Sequence, residues 1–389
     1  MIMRKYFILI TIICWMGCKS EVFESNEFDD SPTIIDLSDN KNLEESDFFD
    51  LFSVDEIIEL QLPEGSYLGS LRRFEIFDDH LFALDPSFNN LAKFDLKGNY
   101  ITQIGRIGEG PDEIPEIVDF SIDSKTGHIG LASYSQMKIS RYDQNGNFVE
   151  ATKIGEQIDQ LAIFDNKLFL SLTYFNTINR NFGIYSFTGD SLSTHFPFPN
   201  DMFPMGLLNI SGHLTKSNSG ILFNEPASSI IYSFSNDLLP YKKYRFERNN
   251  ELWPEENRHD LNGYFQSLAT GRLTFLRKYY EENKDYLIFS INLAQSGTPT
   301  SPVDPRLGYY NKKTNKTFLS RKADYLKHLE GPIFANDEYF FMYIQKYKFF
   351  RIIQENETFE FNLVSNNVDF KNLNENEEDA ILVLKLKIK

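Results

Sequence analysis

From Ile57 onward the apolar positions fall in short runs, broken by Asn, Asp and Gly, with few sustained 3.6-residue periods. Runs of that length bounded by turn residues predict strands rather than helices. Two stretches share one plan, LFALDPSFNNLAKFDLKGNYITQIG (81–105) and IGLASYSQMKISRYDQNGNFVEATKIG (129–155). Each holds a strand, a polar turn, a second strand ending Phe-Asp or Tyr-Asp, and a third strand closing on Ile-Gly. Between the last two strands, Gly98-Asn99 and Gly146-Asn147 supply residues that tolerate positive φ in a tight hairpin. Weaker copies start at 167, 220, 286 and 338, the last read as strands throughout 338–364. Repeats spaced about 40 to 65 residues apart match a β-propeller, whose blades hold roughly 40 to 50 residues each.

Six units predict an all-β fold, a six-bladed β-propeller spanning 51–389. A ring has to close, and VDEIIELQLP (54–63) and ILVLKLKIK (381–389) are the strand-like segments available at its two ends. Pairing one into the other's blade removes exposed sheet edges. One region departs from the plan. Residues 251–286 hold either a small helical insertion, with an amphipathic helix from about Leu261 to Glu282, or a long strand pair, and periodicity does not separate the two.

The stretch IGRIGEGPDEIPEIVDFSID (104–123) crowds three glycines, two prolines and several carboxylates between two apolar runs. It is neither a dinucleotide fingerprint nor a phosphate loop, because no Lys-Ser/Thr follows and its acids repel phosphate. It also lacks the alternating ligands and closing Glu of a calcium loop. It reads as the joint between the outer strand of one blade (101–104) and the inner strand of the next (117–122). Together with the 81–101 unit, SSIIYSFSNDLLPYKKYRF (228–246) and the C-terminal EEDAILVLKLKIK, it resembles the six-bladed β-propeller lipoproteins of Bacteroidetes, which are similar to NHL-repeat propellers. The resemblance covers about residues 54–389 and implies a fold and a cell-envelope address. It carries no activity over. Ligands of propellers gather where blade joints meet the channel, so Arg106, Glu109, Asp112 and Glu113 are the candidate ligand-binding residues. The plainer reading is that Arg106 pairs with a joint carboxylate and holds the crossing in place.

The N-terminus, MIMRKYFILITIICWMGCKS, has a basic start (Arg4, Lys5) and an apolar run too short to span a bilayer. It ends on Gly17-Cys18, which resembles a lipobox. Residues 1–17 are read as a lipoprotein signal peptide, Cys18 as the lipidation site, and 18–50, rich in Ser, Asn and acids, as a flexible tether. Lys19 and the acids behind it resemble the surface-export signal of Bacteroidetes lipoproteins. This implies the outer membrane, facing either the periplasm or the cell surface.

Composition sharpens the picture in two ways. The chain carries 36 Phe and 20 Tyr in 389 residues, which favours pleated, half-buried surfaces. Its formal charge of −17 excludes nucleic acid as a partner, since phosphate binding needs clustered Lys and Arg. The six histidines (His80, His128, His195, His213, His259, His328) show no short metal-ligand spacing, and no catalytic or cofactor motif appears. The sequence reading is therefore a non-catalytic envelope module for a partner protein or glycan, without cofactor or metal. Its alternative is a glycan lyase or hydrolase whose residues meet at the channel.

Overall fold

The computed structural model describes residues 31–38, 41–199, 213–217, 219–294, 304–365, 368–370, 373 and 380–389. The signal peptide and Cys18 lie outside the described residues. Within them the chain forms six antiparallel sheets arranged as the blades of a propeller. The innermost strands are Arg73–Phe77, Asp119–Ile122, Ile158–Phe164, His213–Ser217, Phe275–Glu282 and Glu330–Ala335, in blades 1 to 6. Each inner strand packs against those of both neighbouring blades, and blade 6 returns to blade 1. The repeat starts read from the sequence fall at the second strand of each blade: His80–Asp85, Ile129–Ser133, Lys167–Leu172, Gly220–Asn224, Tyr286–Asn292 and Phe340–Gln345.

The ring closes through the two terminal segments identified in the sequence. Ile381–Ile388 pairs antiparallel with Phe52–Leu60, so an N-terminal strand completes the last blade. Every blade begins at the channel and ends at the rim with four alternating strands. The described joints and second-to-third-strand loops therefore lie on one face. The other face carries the remaining, mostly short turns, such as Asp78-Asp79 and 96–99.

The turns repeat as their residues do. Asp95 accepts from the Lys97 and Asn99 amides and from the Asn99 side chain, and Asp143 does the same for Asn145 and Asn147. Gly98, at φ +86, sits so close to the Glu59 carbonyl that a Cβ would lie 2.0 Å from it. The hairpin turn is thus pressed against the neighbouring blade. Phenylalanine fills the wedges between blades: Phe182 stacks on Phe234 at 4.6 Å, Phe246 meets Phe289 at 4.9 Å, and Phe74 meets Phe341 at 5.9 Å.

Three expectations need correction. The tether at 18–50 ends sooner, because its second half belongs to the ring. Thr33–Asp36 adds a parallel fifth strand to the rim of blade 4, and Leu43–Ser46 does so on blade 5. Ile35 and Leu37 are fully buried there. Four-residue strands are too short to show a period, and what recruits them is an unpaired blade edge. Of the two readings open for 251–286, the helical insertion holds, but its helix ends well before Glu282 and a strand follows it. Asp260 caps a helix at Leu261–Ala269, Gly271 (φ +66) turns the chain, and the aromatic-rich Phe275–Glu282 is the inner strand of blade 5. Finally, 346–364 is not strand. Two helices, Lys346–Glu355 and Glu357–Ser365, intervene between strands of blade 6. They bury Phe349, Ile352, Phe359 and Leu363, a helical spacing that the density of aromatic residues concealed.

Candidate functional site

The joint folds as a closed loop on the surface. Gly108 N–H donates to the Ile114 carbonyl (3.1 Å) and Ile114 N–H to the Arg106 carbonyl (2.9 Å). Gly105, at φ +87, leaves no room for a side chain: a Cβ there would meet Leu131 at 2.6 Å. Arg106 lies 3.2 Å from Glu113 and 3.8 Å from Asp112. Glu113 also accepts from the Gly110 amide, and the Asp112 carbonyl accepts from the Tyr142 hydroxyl. Glu109 is exposed. The structure thus brings Arg106, Asp112 and Glu113 together with one another, and none of the four candidates lines the channel.

The channel itself holds a cavity of about 270 Å³ to which all six blades contribute. Blade 1 supplies Arg72, Arg73 and Asp85; blade 2, Asp119; blade 3, Gln160; blade 4, His213 and Thr215; blade 5, Tyr279 and Glu281; blade 6, Pro332 and Ile333. Polar residues rarely survive inside a core unpaired, and these are tied across blades. Arg73 donates through Nε and Nη2 to both oxygens of Asp119 (2.7 and 2.8 Å). Its Nη2 also reaches the Leu214 carbonyl at 3.1 Å. Arg72 Nη2 donates to the carboxylate and the carbonyl of Asp159 (2.8 and 2.9 Å). Deeper in, Lys216 bridges Glu75 (3.0 Å) and the Ile122 carbonyl (2.7 Å). Asp119 additionally accepts from the Leu161 amide, and Gln160 from the Leu214 amide.

Glu281 stands apart from this network. Its Oε1 accepts from the Thr215 hydroxyl at 2.8 Å. Burial pushes its carboxyl up to about 8, against the pull of Thr215, Arg73 and Lys216 and with the help of Glu75. It is therefore a neutral acid at neutral pH. Away from the channel, burial raises Glu225 to about 7 despite Arg258, in the packing between blades 3 and 4 and the 251–270 segment. Among the described residues no group of three His, Cys, Asp or Glu is placed to hold a metal ion, and no helix is long and apolar enough to cross a membrane.

None of the channel residues was singled out from the sequence. The signal was there: each inner strand carries polar groups inside an apolar run, as in Arg72-Arg73-Phe74-Glu75, Asp159-Gln160-Leu161 and Tyr280-Glu281-Glu282. Repeat units that start at the second strand of each blade do not align these inner-strand residues.

A family model described as "Domain of unknown function (DUF4934)" matches residues 32–385. No curated protein sequence matches the chain. Among solved structures, the chain resembles a Bacteroides fragilis protein designated as exported. That pair has 15% identity and a TM-score of 0.66, over 92% of this chain and 100% of the other. A member of the DUF4221 family from Bacteroides vulgatus aligns at 11% identity and a TM-score of 0.53, over 87% of this chain and 98% of that one. Likeness at these identities concerns the fold.

Proposed function

The chain belongs to the family described as Domain of unknown function (DUF4934), and from that premise we propose that it is a cell-envelope propeller, lipid-anchored through Cys18, that binds a glycan or partner protein at the channel without catalysing a reaction. The observation that carries this reading is the cavity: six blades converge on it, and most of its charged groups are already neutralised by one another. Such a site is rigid and shaped for recognition. The exported relative of the same fold and the lipobox-like Gly17-Cys18 support the envelope address.

A second reading rests on Glu281. A carboxyl held protonated to about pH 8 in the same cavity as His213 has the makings of a general acid for glycan cleavage. One experiment separates the two. Oligosaccharides are incubated with the full-length chain, and binding is followed by calorimetry and turnover by chromatography. Binding without new products supports the binding module. Turnover that disappears in Glu281→Gln replaces it with the enzyme. For the anchor, labelled palmitate should enter the wild-type chain in cells and be lost in Cys18→Ser; label retained in that variant rules Cys18 out.

A further inference from the structure

Hydrogen-bonding capacity in the cavity is lopsided. The acceptors are occupied. Asp119 takes Arg73 and the Leu161 amide, Asp85 takes the amides of Gly69, Ser70 and Ser87, and Gln160 Oε1 takes the Leu214 amide. The donors are not. Arg72 spends only Nη2, and Arg73 only Nε and Nη2, so neither Nη1 has a partner among the described residues. Arg72 Nε is buried without one. A guanidinium cannot shed its charge, so these donors stay available to an acceptor that enters the cavity, and the buried Arg72 Nε carries the cost of an unmade bond. Arg72 is the more open of the two, with 28% of its side chain exposed against 11% for Arg73.

We propose that the cavity selects a saccharide unit bearing a carboxylate, which the Nη1 groups of Arg72 and Arg73 receive. This rests on the reading of the channel as the binding site. A planar, singly charged carboxylate suits guanidinium donors. The second charge of a phosphate monoester would face Asp85 and Asp119. A volume of about 270 Å³ holds one sugar residue, not a protein surface. Ser70, Ser87 and Thr215 line it; the Thr215 hydroxyl donates to Glu281 and the Ser70 hydroxyl pairs with that of Tyr343, so both are held in place beside a sugar ring. Glu281 adds a donor: its Oε2 has no hydrogen-bond partner among the described residues, and below about pH 8 the carboxyl keeps its proton. Facing Glu281 are Arg73 and Glu75 from blade 1, Asp119 from blade 2, His213, Thr215 and Lys216 from blade 4, and Tyr279 from its own strand.

The test is calorimetry on the full-length chain in detergent with glucuronate, glucose and glucose 6-phosphate. Glucuronate should bind at pH 7 at least roughly tenfold tighter than either of the others, the worth of one charge-assisted hydrogen bond. Arg72→Lys, which keeps the charge beside Asp159, should weaken glucuronate about tenfold with its melting temperature unchanged. Raising the pH from 7 to 9 should weaken wild-type binding by ionising Glu281, and Glu281→Gln should remove that loss; a loss that persists in Glu281→Gln overturns the role given to Glu281. Glucose binding as tightly as glucuronate overturns the carboxylate and leaves the channel reading standing. Tighter binding of the phosphate replaces the carboxylate with a phosphate, and glucuronate binding untouched by Arg72→Lys overturns the arginine assignment. If no sugar binds at any pH, the glycan form of the channel reading falls as well.

Discussion

The joint at 104–118 and the channel are built from the same kinds of residues, arginines beside carboxylates, yet they differ in what those pairs do. Arg106 is 71% exposed and meets its acids at 3.2 and 3.8 Å. Arg73 is 11% exposed and meets both oxygens of an Asp119 that is 1% exposed. In the joint, water competes for every charge, and the pairs do little more than tidy a loop whose path is set by its glycines. In the channel, each charge depends on its partner, because removing one leaves the other stranded away from water. Charge density is legible in a sequence, whereas burial decides what the charge is for.

The contrast breaks most visibly at Arg73. Arg73→Ala should cost about 3–5 kcal/mol by leaving Asp119 buried and unpaired, read as a shift in urea midpoint. A variant that unfolds with the wild type would place Asp119 in water and undo the distinction. Gly105→Val attacks the joint where its backbone, not its charges, matters. Positive φ together with overlap onto Leu131 should cost about 2–4 kcal/mol, again by urea titration.

Glu281→Gln probes the channel by pH. The Glu281 pKa is raised on folding from 4.5 to about 8. Its stabilising contribution is thus complete below pH 4.5 and is lost as pH climbs towards 8, because the unfolded chain ionises first. Replacing it with Gln should remove on the order of 1 kcal/mol per pH unit from the slope of stability across that window, measured by melts at pH 5 and pH 8. An unchanged slope would mean that Glu281 is solvated. The smallest effect belongs to Arg106→Ala, which should cost less than about 1 kcal/mol and leave sugar binding intact. A large loss of stability or binding there would move the site back to the joint.

Much of the architecture was legible because the turns repeat. The Asp-x-x-Gly-Asn spacing of Asp95–Asn99 and Asp143–Asn147 marks the same hairpin twice, and second strands rich in Leu, Phe and Ile flag every blade. Ring closure followed from the two end strands. The rim strands at Thr33–Asp36 and Leu43–Ser46 were hidden because tertiary pairing, not local pattern, makes them strands. The helices at 346–365 were hidden because Phe and Ile serve both periods. The site was the least visible part. Arg72, Asp119, Gln160, Thr215 and Glu281 are each isolated in sequence and become neighbours only when six blades close into a ring.

The most direct measurement is to map where a sugar touches the protein. A photoreactive glucuronide is cross-linked to the full-length chain and the labelled peptides are identified by mass spectrometry. Label on the peptides holding Arg72-Arg73, His213–Thr215 and Tyr279–Glu281 is the predicted result. Label concentrated on 104–118 would contradict it and return the site to the joint.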